Sequence, residues 1–260
     1  MNTSSDNKWL YTISSKHKLI DFNFKEVWRY RDLLVLFVKR DIVTTYKQTV
    51  LGPLWYIIQP LFTSVVFTLI FNNVAQVSTG STPSFLFNMA GVIIWSYFRA
   101  CLTASSSAFS TNANIYSKVY FPRVISPLAS IISNLFKFLI QVFIFYIFCG
   151  IYLYRGFDFQ ITLQMLWFPL LVILMGGLGL GFGLIISSVV TKYRDMRILL
   201  NFGIQLLMYL SAVMYPVSFF TESLPELAWM LELNPLASII EMSRFSLLGV
   251  KDGEIRIEAI

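Results

Sequence analysis

Five long apolar runs dominate this sequence and restrict the folds that are open to it. They cover residues 54–74, 85–108, 127–153, 163–190 and 198–220. A helix needs about 20 mostly apolar residues to cross the hydrocarbon core of a bilayer, and each run is that long. Hydrophobic residues make up 56% of the chain and charged residues 13%, whereas soluble domains carry about 25% charge. The sequence therefore predicts an all-α integral membrane protein with five transmembrane helices.

Positive charges alternate between the loops that join these runs. Residues 1–50 hold nine Lys and Arg, and the loops at 109–126 and 191–197 hold five more. The opposite loops are poor in positive charge, since 75–84 has none and 154–162 has Arg155 alone. Because cytoplasmic loops carry the excess of Lys and Arg, we expect the N-terminus and both basic loops to be cytoplasmic. The net charge of +6 thus reflects membrane orientation, and no nucleic-acid partner is expected. The polar first 26 residues form no signal peptide.

The segment 26–50, just before the first run, has the pattern of an amphipathic helix. Its apolar residues recur every three or four positions. Its basic residues include Arg29, Arg31, Lys39 and Arg40. Such a helix lies in the membrane interface and is attracted to anionic lipids. A membrane anchor and a docking surface for a cytoplasmic partner are compatible interpretations. The chain then divides into a polar tail (1–25), an interface helix (26–50) and a transmembrane domain (51–260).

The segment 221–249 is less apolar than the five runs and carries four glutamates. A charge near the bilayer centre is costly, so a sixth span is not expected here. Two external half-helices, at about 224–233 and 236–248, fit better, with Asn234-Pro235 as the break between them. No apolar run follows Gly249. Five spans would leave the C-terminus outside, unless the sequence given stops before a last span.

The sequence offers neither an energy source nor a catalytic centre of its own. It contains no phosphate-binding P-loop motif, and its one histidine, His17, lies in the polar tail. The charged residues within the five runs are Arg99 and Lys137, with no carboxylate for a proton relay. Both cysteines fall in apolar runs and have no metal-site spacing. We therefore expect no catalytic, metal or cofactor site, and a transporter of this kind needs an energy-supplying partner.

Polar side chains form stripes along four of the runs. The stripes are Tyr56, Gln59 and Thr63; Ser96, Arg99, Thr103, Ser106 and Ser110; Asn134, Lys137 and Gln141; and Asn201, Gln205 and Tyr209. Polar groups in lipid must be satisfied, so these faces look toward protein or water. Hydrogen bonding between helices and a hydrophilic conduit are both open. The candidate channel-lining residues are Tyr56, Gln59, Trp95, Arg99, Lys137, Gln205, Tyr209 and Tyr215.

Five glycines crowd the fourth run, at positions 176, 177, 179, 181 and 183. Small residues let membrane helices approach each other closely. The glycines therefore predict tight helix packing rather than a phosphate-binding loop.

The loop at 109–126, which reads FSTNANIYSKVYFPRVIS, has features of a short helix. Asn112 or Asn114 can cap such a helix, and Pro122 ends it. Ile115, Val119 and Phe121 give it an apolar side. We expect a partner protein to bury that side in a groove.

Four segments, in this order, resemble one known family. They are YKQTVLGPLWYIIQPL at 46–61, NANIYSKVYFPRVISP at 112–127, TKYRDMR at 191–197 and ELNPLASIIEMSRFSLLG at 232–249. The sequence resembles the ABC-2 type exporter membrane subunits that move polysaccharides, most closely the O-antigen export permeases, with the teichoic acid permeases next. The resemblance covers most of residues 30–249, and it is specific for the family but much less so for the polymer.

The resemblance implies a homodimeric permease in the inner membrane that carries two copies of a separate cytoplasmic ATPase. ATP and Mg would bind in that partner, and membrane lipids would surround the permease. The implied ATPase-coupling residues are Asn114, Tyr116, Lys118, Tyr120, Phe121, Pro122, Arg123, Tyr193, Arg194 and Asp195, together with the interface helix. The implied external gate includes Glu232, Asn234, Pro235 and Glu241. The family normally has a sixth span, which is missing after residue 249.

The resemblance also implies the cargo, a polysaccharide on an undecaprenyl diphosphate lipid that is threaded outward through the dimer. Export of teichoic acid or capsular polysaccharide is the alternative. A membrane enzyme of polymer assembly is a further hypothesis, although the carboxylates and histidines that it needs are scarce in and near the spans. A lipid-binding scaffold is the last, and it would need neither the polar stripes nor the loop motif.

Overall fold

The computed structural model describes residues 24–47, 52–157, 163–193, 195–223 and 225–249, which form helices and the turns between them. The α-helices are α1 (Phe24–Arg29), α2 (Arg31–Lys47), α3 (Trp55–Phe67), α4 (Ser84–Thr111), α5 (Ala113–Tyr116), α6 (Ile125–Tyr154), α7 (Phe168–Lys192), α8 (Met196–Leu210), α9 (Val217–Ser223), α10 (Ala228–Glu232) and α11 (Pro235–Leu248). Short 3-10 turns precede α3, α7 and α10, and a π-helix, Thr68–Val74, continues α3. The predicted all-α fold is confirmed.

Four helical segments in the described part of the chain are long and apolar enough to cross a membrane. They are Trp55–Val74, Ser84–Thr111, Ile125–Tyr154 and Leu163–Lys192. These segments agree with the first four predicted spans. The structure extends three of them by several residues at their polar ends, because a helix continues past the hydrocarbon wherever its backbone can hydrogen-bond internally.

The fifth predicted span, 198–220, is not one helix. Helix α8 ends at Leu210 after 15 residues, and an irregular segment, 211–216, separates it from α9. Ala212 in that segment has a positive φ of 49°, a conformation that ends a helix for a residue with a side chain. Hydropathy alone misses this break because the residues around it are as apolar as those of a continuous span.

Helix α4 is the centre of the bundle and packs against α3, α6, α7 and α11. Leu86, Ile93 and Phe98 of α4 are fully buried. The closest contact is with α7, where the predicted glycine packing is confirmed for three of the five glycines. A Cβ at Gly176 would lie 2.6 Å from the Tyr97 hydroxyl, and Gly183 is equally confined by Ser105, whereas Gly177 and Gly181 face open space.

A second, smaller core lies where α2 crosses the start of α6. We call it the α2–α6 core, and it is built from Phe37, Val38, Phe121, Ile125 and Ala129. The segment predicted as one helix at 26–50 forms two helices, α1 and α2, with the break at Tyr30, and residues 48–50 lie outside the described ones. We call the end of the molecule that carries α1, α2, α5 and the start of α8 the basic end.

The opposite end of the molecule carries the short helices α9, α10 and α11. The predicted half-helices agree with α10 and α11, and the break between them falls at Leu233 and Asn234. Helix α11 packs against α4 and α7 and begins with Pro235, a favoured first residue because it needs no backbone donor there.

Candidate functional site

The loop between α4 and α6 presents polar side chains at the basic end but keeps its largest apolar ring inside. Asn114, Lys118, Tyr120 and Arg123 are exposed, and Pro122 is partly exposed. Tyr120 is 81% exposed. These side chains form a surface that is free in the described chain.

The predicted apolar docking side of this loop is wrong in part. Phe121 is 4% exposed and lies in the α2–α6 core. Its ring is 5.1 Å from that of Tyr116, whose hydroxyl donates to the Arg123 carbonyl at 3.3 Å. Ile115 packs on the same core, so Val119, at 57% exposed, is the apolar residue of the three that a partner can reach. The sequence did not reveal that α2 already covers this side.

The second basic loop lies against the first. Tyr193 and Asp195 are exposed, whereas Arg194 lies outside the described residues. Arg197, in the first turn of α8, donates to the Ser110 hydroxyl at 2.8 Å. Ser110 belongs to the last turn of α4, so this hydrogen bond joins the start of α8 to the point where the first loop begins.

The basic side chains of the interface helix do not all point outward. Arg29, Arg31 and Lys39 are exposed as expected. Arg40 is the exception, because its guanidinium donates to the Asp41 carboxylate at 2.8 Å and to the Asn112 side-chain oxygen at 3.2 Å. Arg40 therefore makes hydrogen bonds within the protein, while 37% of its side chain stays exposed.

The outer face of the interface helix is apolar as well as basic. Trp28, Val35 and Leu36 are 70%, 63% and 60% exposed. Exposed apolar residues beside Arg and Lys are typical of a helix that lies at a membrane surface.

Three of the polar stripes meet in one cluster between α3, α4 and α6. Gln141 donates to the Tyr56 carbonyl at 3.0 Å and accepts from Ser96 at 3.1 Å. The Lys137 ammonium lies 5.1 Å from the centre of the Tyr56 ring and donates to Asn134 at 3.2 Å. Hydrogen bonding between helices therefore accounts for this part of the stripes, and Tyr56 and Lys137 belong to it.

Several other stripe residues are uncovered in the single chain, although Ser106 is buried. Gln59, Arg99, Thr103, Gln205 and Tyr209 are all exposed. Helix α8, which carries two of them, buries one residue, Ile204. Polar groups that face the hydrocarbon level of a membrane need water or another protein surface. We call these exposed polar residues of α3, α4 and α8, taken together, the polar face.

Two aromatic candidates have other positions than predicted. Trp95 is 4% exposed and packs against Phe98 with ring centres 5.4 Å apart, so it belongs to the main core and lines no channel. It lies on the buried side of α4 rather than with Arg99. Tyr215 is half-buried, and its hydroxyl donates to the Tyr209 carbonyl at 2.6 Å, which folds the irregular segment back on α8.

Asn234 holds the broken end of α8. Its side-chain oxygen accepts from the Leu236 amide at 3.0 Å and so caps α11. Its amide group donates to the Leu210 carbonyl and to the Ser211 hydroxyl, both at 3.0 Å. Glu232 is exposed. A groove of about 270 Å³ runs beside this contact, and it is lined by Leu207, Leu210, Trp229, Met230, Leu233, Asn234 and Pro235.

Arg244 is the important residue of this end that the sequence analysis missed. Its side chain is 3% exposed, and its guanidinium donates to the carbonyls of Val213 and Tyr215. The group lies 4.0 Å from the centre of the Phe87 ring and fills a space at Gly91 that any Cβ would close. Arg244 thus satisfies the carbonyls that are left free by the break after α8.

The charge of Arg244 is kept despite its burial. Burial lowers the pKa of Arg244 to about 9, which leaves it protonated at neutral pH, and Glu241 opposes that shift. Burial also raises the pKa of Glu241, while the charge of Arg244 partly lowers it. The signal for Arg244 in the sequence was a Glu and an Arg three positions apart in an apolar segment.

Comparison with known proteins identifies one family. The ABC-2 type transporters match residues 32–248. The chain is 31% identical over 211 residues to the O-antigen export system permease protein RfbA of Klebsiella pneumoniae, across 80% of this chain and 77% of that protein. It is 25% identical over 216 residues to RfbA of Myxococcus xanthus, across 83% and 80%. It is 30% identical over 213 residues to the polysialic acid transport protein KpsM of Escherichia coli, across 79% and 77%.

Proposed function

This chain belongs to the ABC-2 type transporter family, and we propose on that premise that it is the membrane permease of a polysaccharide exporter. The permease forms a homodimer and binds two copies of a cytoplasmic ATPase. Its cargo is a polysaccharide of the O-antigen type on an undecaprenyl diphosphate lipid. The similarity to the RfbA permeases supports this cargo.

The polar face is the observation that carries the proposal. Arg99 lies on this face and is exposed. Its helix, α4, is otherwise mostly covered, since 72% of its most apolar stretch is buried. In a second copy of the chain the same face would lie opposite, and the two faces would enclose a polar path between the subunits. A path of this kind suits a hydrated polymer, which cannot cross the hydrocarbon region unaided.

The basic end supplies the surface for the ATPase. Lys118, Tyr120 and Arg123 extend from the first loop, and Tyr193 and Asp195 lie at the second. ATP and Mg bind in the partner, and the permease converts its motion into movement of the polymer. Because the basic end carries the excess of Lys and Arg, it faces the cytoplasm of the cell whose inner membrane holds the complex.

The opposite end then faces outward and closes the path when no polymer is moving. Helices α10 and α11 act as the gate, with Asn234, Pro235, Glu232 and Glu241 among its residues. Asn234 supports this role through its contacts with the end of α8, which carries part of the polar face.

Purification from the native cell in mild detergent tests the ATPase partner first. We expect a P-loop ATPase to copurify at one copy per permease chain, and mass measurement of the complex to give two copies of each. A chain that purifies intact and without an ATPase would contradict the proposal.

The polar path is tested by Arg99→Ala. We expect export of the polymer to fall about tenfold or more, because a cation is lost from the path. Assembly with the ATPase should be unchanged, since Arg99 is far along α4 from the basic loops. Arg155→Ala is the matched control, because Arg155 is also exposed but lies beyond the end of α6. Normal export by the Arg99 variant would exclude Arg99 from the path.

Capsular polysaccharide is the second candidate cargo, supported by the similarity to KpsM. Deletion of the gene separates the two candidates. Accumulation of lipid-linked O-antigen inside the cell supports the first, and accumulation of capsular polymer supports the second.

A further inference from the structure

The α2–α6 core brings together three segments that are separate along the sequence. Phe37 and Val38 come from the interface helix, Phe121 from the loop, and Ile125 and Ala129 from the start of α6. The rings of Phe37 and Phe121 meet edge to face at 5.6 Å. This core is separate from the main core around α4.

Asn112 connects this small core to the end of α4. It is 6% exposed and lies between α4 and α5. Its amide group donates to the Ala108 carbonyl at 2.9 Å and to the Ser126 hydroxyl at 2.7 Å. Its oxygen accepts from Arg40 at 3.2 Å. One buried side chain therefore binds α2, α4 and α6 at the same point, and each of its hydrogen-bonding atoms has a partner.

A second set of contacts runs beside Asn112. The Ser133 hydroxyl of α6 donates to the Ala129 carbonyl at 2.9 Å and also lies 3.5 Å from the Val38 carbonyl. Ser130 donates to the Asp41 carboxylate at 3.5 Å. The guanidinium of Arg40 lies 4.6 Å from the centre of the Phe37 ring. Helix α2 thus contacts α6 over about one turn, in addition to its contact with Asn112.

We propose that Asn112 is a positioning residue for energy coupling, which makes α2, the loop and the ends of α4 and α6 move as one body. The proposal rests on the proposed function, because it assumes that an ATPase pushes on the exposed side chains of the loop. A loop that hangs between two helices would bend under that push and absorb it. The Asn112 contacts pass the movement to α2 and α6 instead of to α4 alone.

The first test is Asn112→Ala in the complex with the ATPase, reconstituted in lipid vesicles. We expect the rate of ATP hydrolysis to stay within about twofold of the rate in the complex without the substitution, while export per ATP hydrolysed falls about tenfold. A structural defect lowers hydrolysis and export together, so the ratio of the two is the informative measurement. Asn73→Ala is the matched control, because Asn73 is an exposed Asn at the opposite end, and its ratio should not change.

The second test does not depend on how Asn112→Ala folds. Val38→Cys and Ser133→Cys are introduced together after the buried Cys101 and Cys149 have been replaced by Ala. A short thiol cross-linker then joins α2 to α6. If the two move as one body, export continues within about twofold after cross-linking.

The outcomes separate this inference from the proposed function. An unchanged export ratio in Asn112→Ala, or loss of export on cross-linking, would overturn the inference while the ATPase complex stands. Failure of the unchanged chain to bind an ATPase would overturn the proposed function.

Discussion

The seam between α4 and α7 and the end of α8 are built from similarly apolar sequence but are held in opposite ways. At the seam, Gly179 and Gly183 let two backbones meet and leave no room for a Cβ. At the end of α8, the helix stops and its free carbonyls accept hydrogen bonds from Asn234 and Arg244. Shape fixes the first region, and directed polar contacts fix the second.

This difference shows that hydropathy and packing are separate properties of a membrane helix. Lipid is as apolar as a leucine side chain, so no hydrophobic force drives two helices together within it. What remains is close packing of small residues or hydrogen bonding between polar ones. Helix α7 is held by close packing of small residues, and the end of α8 is held by hydrogen bonds. Because only its end is held in this way, α8 is exposed along its length.

The largest expected effect comes from Gly179→Leu at the seam. A Cβ at Gly179 would lie 2.7 Å from the Cys101 Cβ and 3.3 Å from backbone atoms of Phe98 and Leu102. Because backbone cannot yield as a flexible side chain does, we expect a loss of about 3 kcal/mol or more in the free energy of unfolding. Thermal unfolding in detergent measures it.

Gly181→Leu is the control for that prediction, because Gly181 is in the same helix but faces open space. It should cause no loss of stability, because Leu is a better helix former than Gly. An equal loss at the two positions would mean that the seam is not responsible.

At the end of α8, Arg244→Met should have the next largest effect. It leaves the Val213 and Tyr215 carbonyls buried without a donor, which costs about 2 kcal/mol. The damage should be local, so we expect faster hydrogen exchange in 211–216 and unchanged exchange at the α4–α7 seam. Arg244→Lys keeps a donor and should be milder. Uniform acceleration throughout the molecule would contradict the local role.

Asn234→Ala should have a smaller effect at the same place. It removes the cap of α11 and two donors to the end of α8, for a cost of about 1 kcal/mol. Asn234→Asp keeps the cap acceptor but loses the donors to Leu210 and Ser211. If the contacts with α8 matter, hydrogen exchange near residue 211 should accelerate in both variants. Acceleration in the Ala variant alone would assign the whole effect to the cap.

The smallest expected effect is a pH dependence at Glu241. Burial raises the pKa of Glu241, so the folded state holds its proton more tightly than the unfolded state. Stability is therefore highest below the ordinary Glu pKa and falls as the pH rises from there to the raised value. Glu241→Gln should lack this part of the pH profile in thermal unfolding. Identical profiles for the two proteins would exclude the effect.

The first four spans and the break at Asn234-Pro235 were predictable, because they depend on length, hydropathy and a helix-breaking pair. The glycine packing was predictable from residue size. The end of α8 has no mark in hydropathy, and Pro216 is the sequence signal for it. The contacts that hold it were not predictable, because Arg244 lies far in sequence from Val213.

The candidate site was predicted less completely than the fold. Lys118 and Tyr120 are exposed as a docking surface requires, but Phe121 is buried and Arg40 binds Asn112. Trp95 was predicted to line a channel but faces the core. A pattern in sequence shows which residues share a helix face, and only the neighbouring helices decide whether that face is already covered.

The polar contacts at the end of α8 also have a consequence for synthesis of the chain. The donor to the Leu210 carbonyl comes 24 residues later, and the donor to the Val213 carbonyl comes 31 residues later. When α8 leaves the ribosome, the Leu210 and Val213 carbonyls therefore lack these two donors. The complete set of contacts at the end of α8 can form only after the chain has been synthesised as far as Arg244.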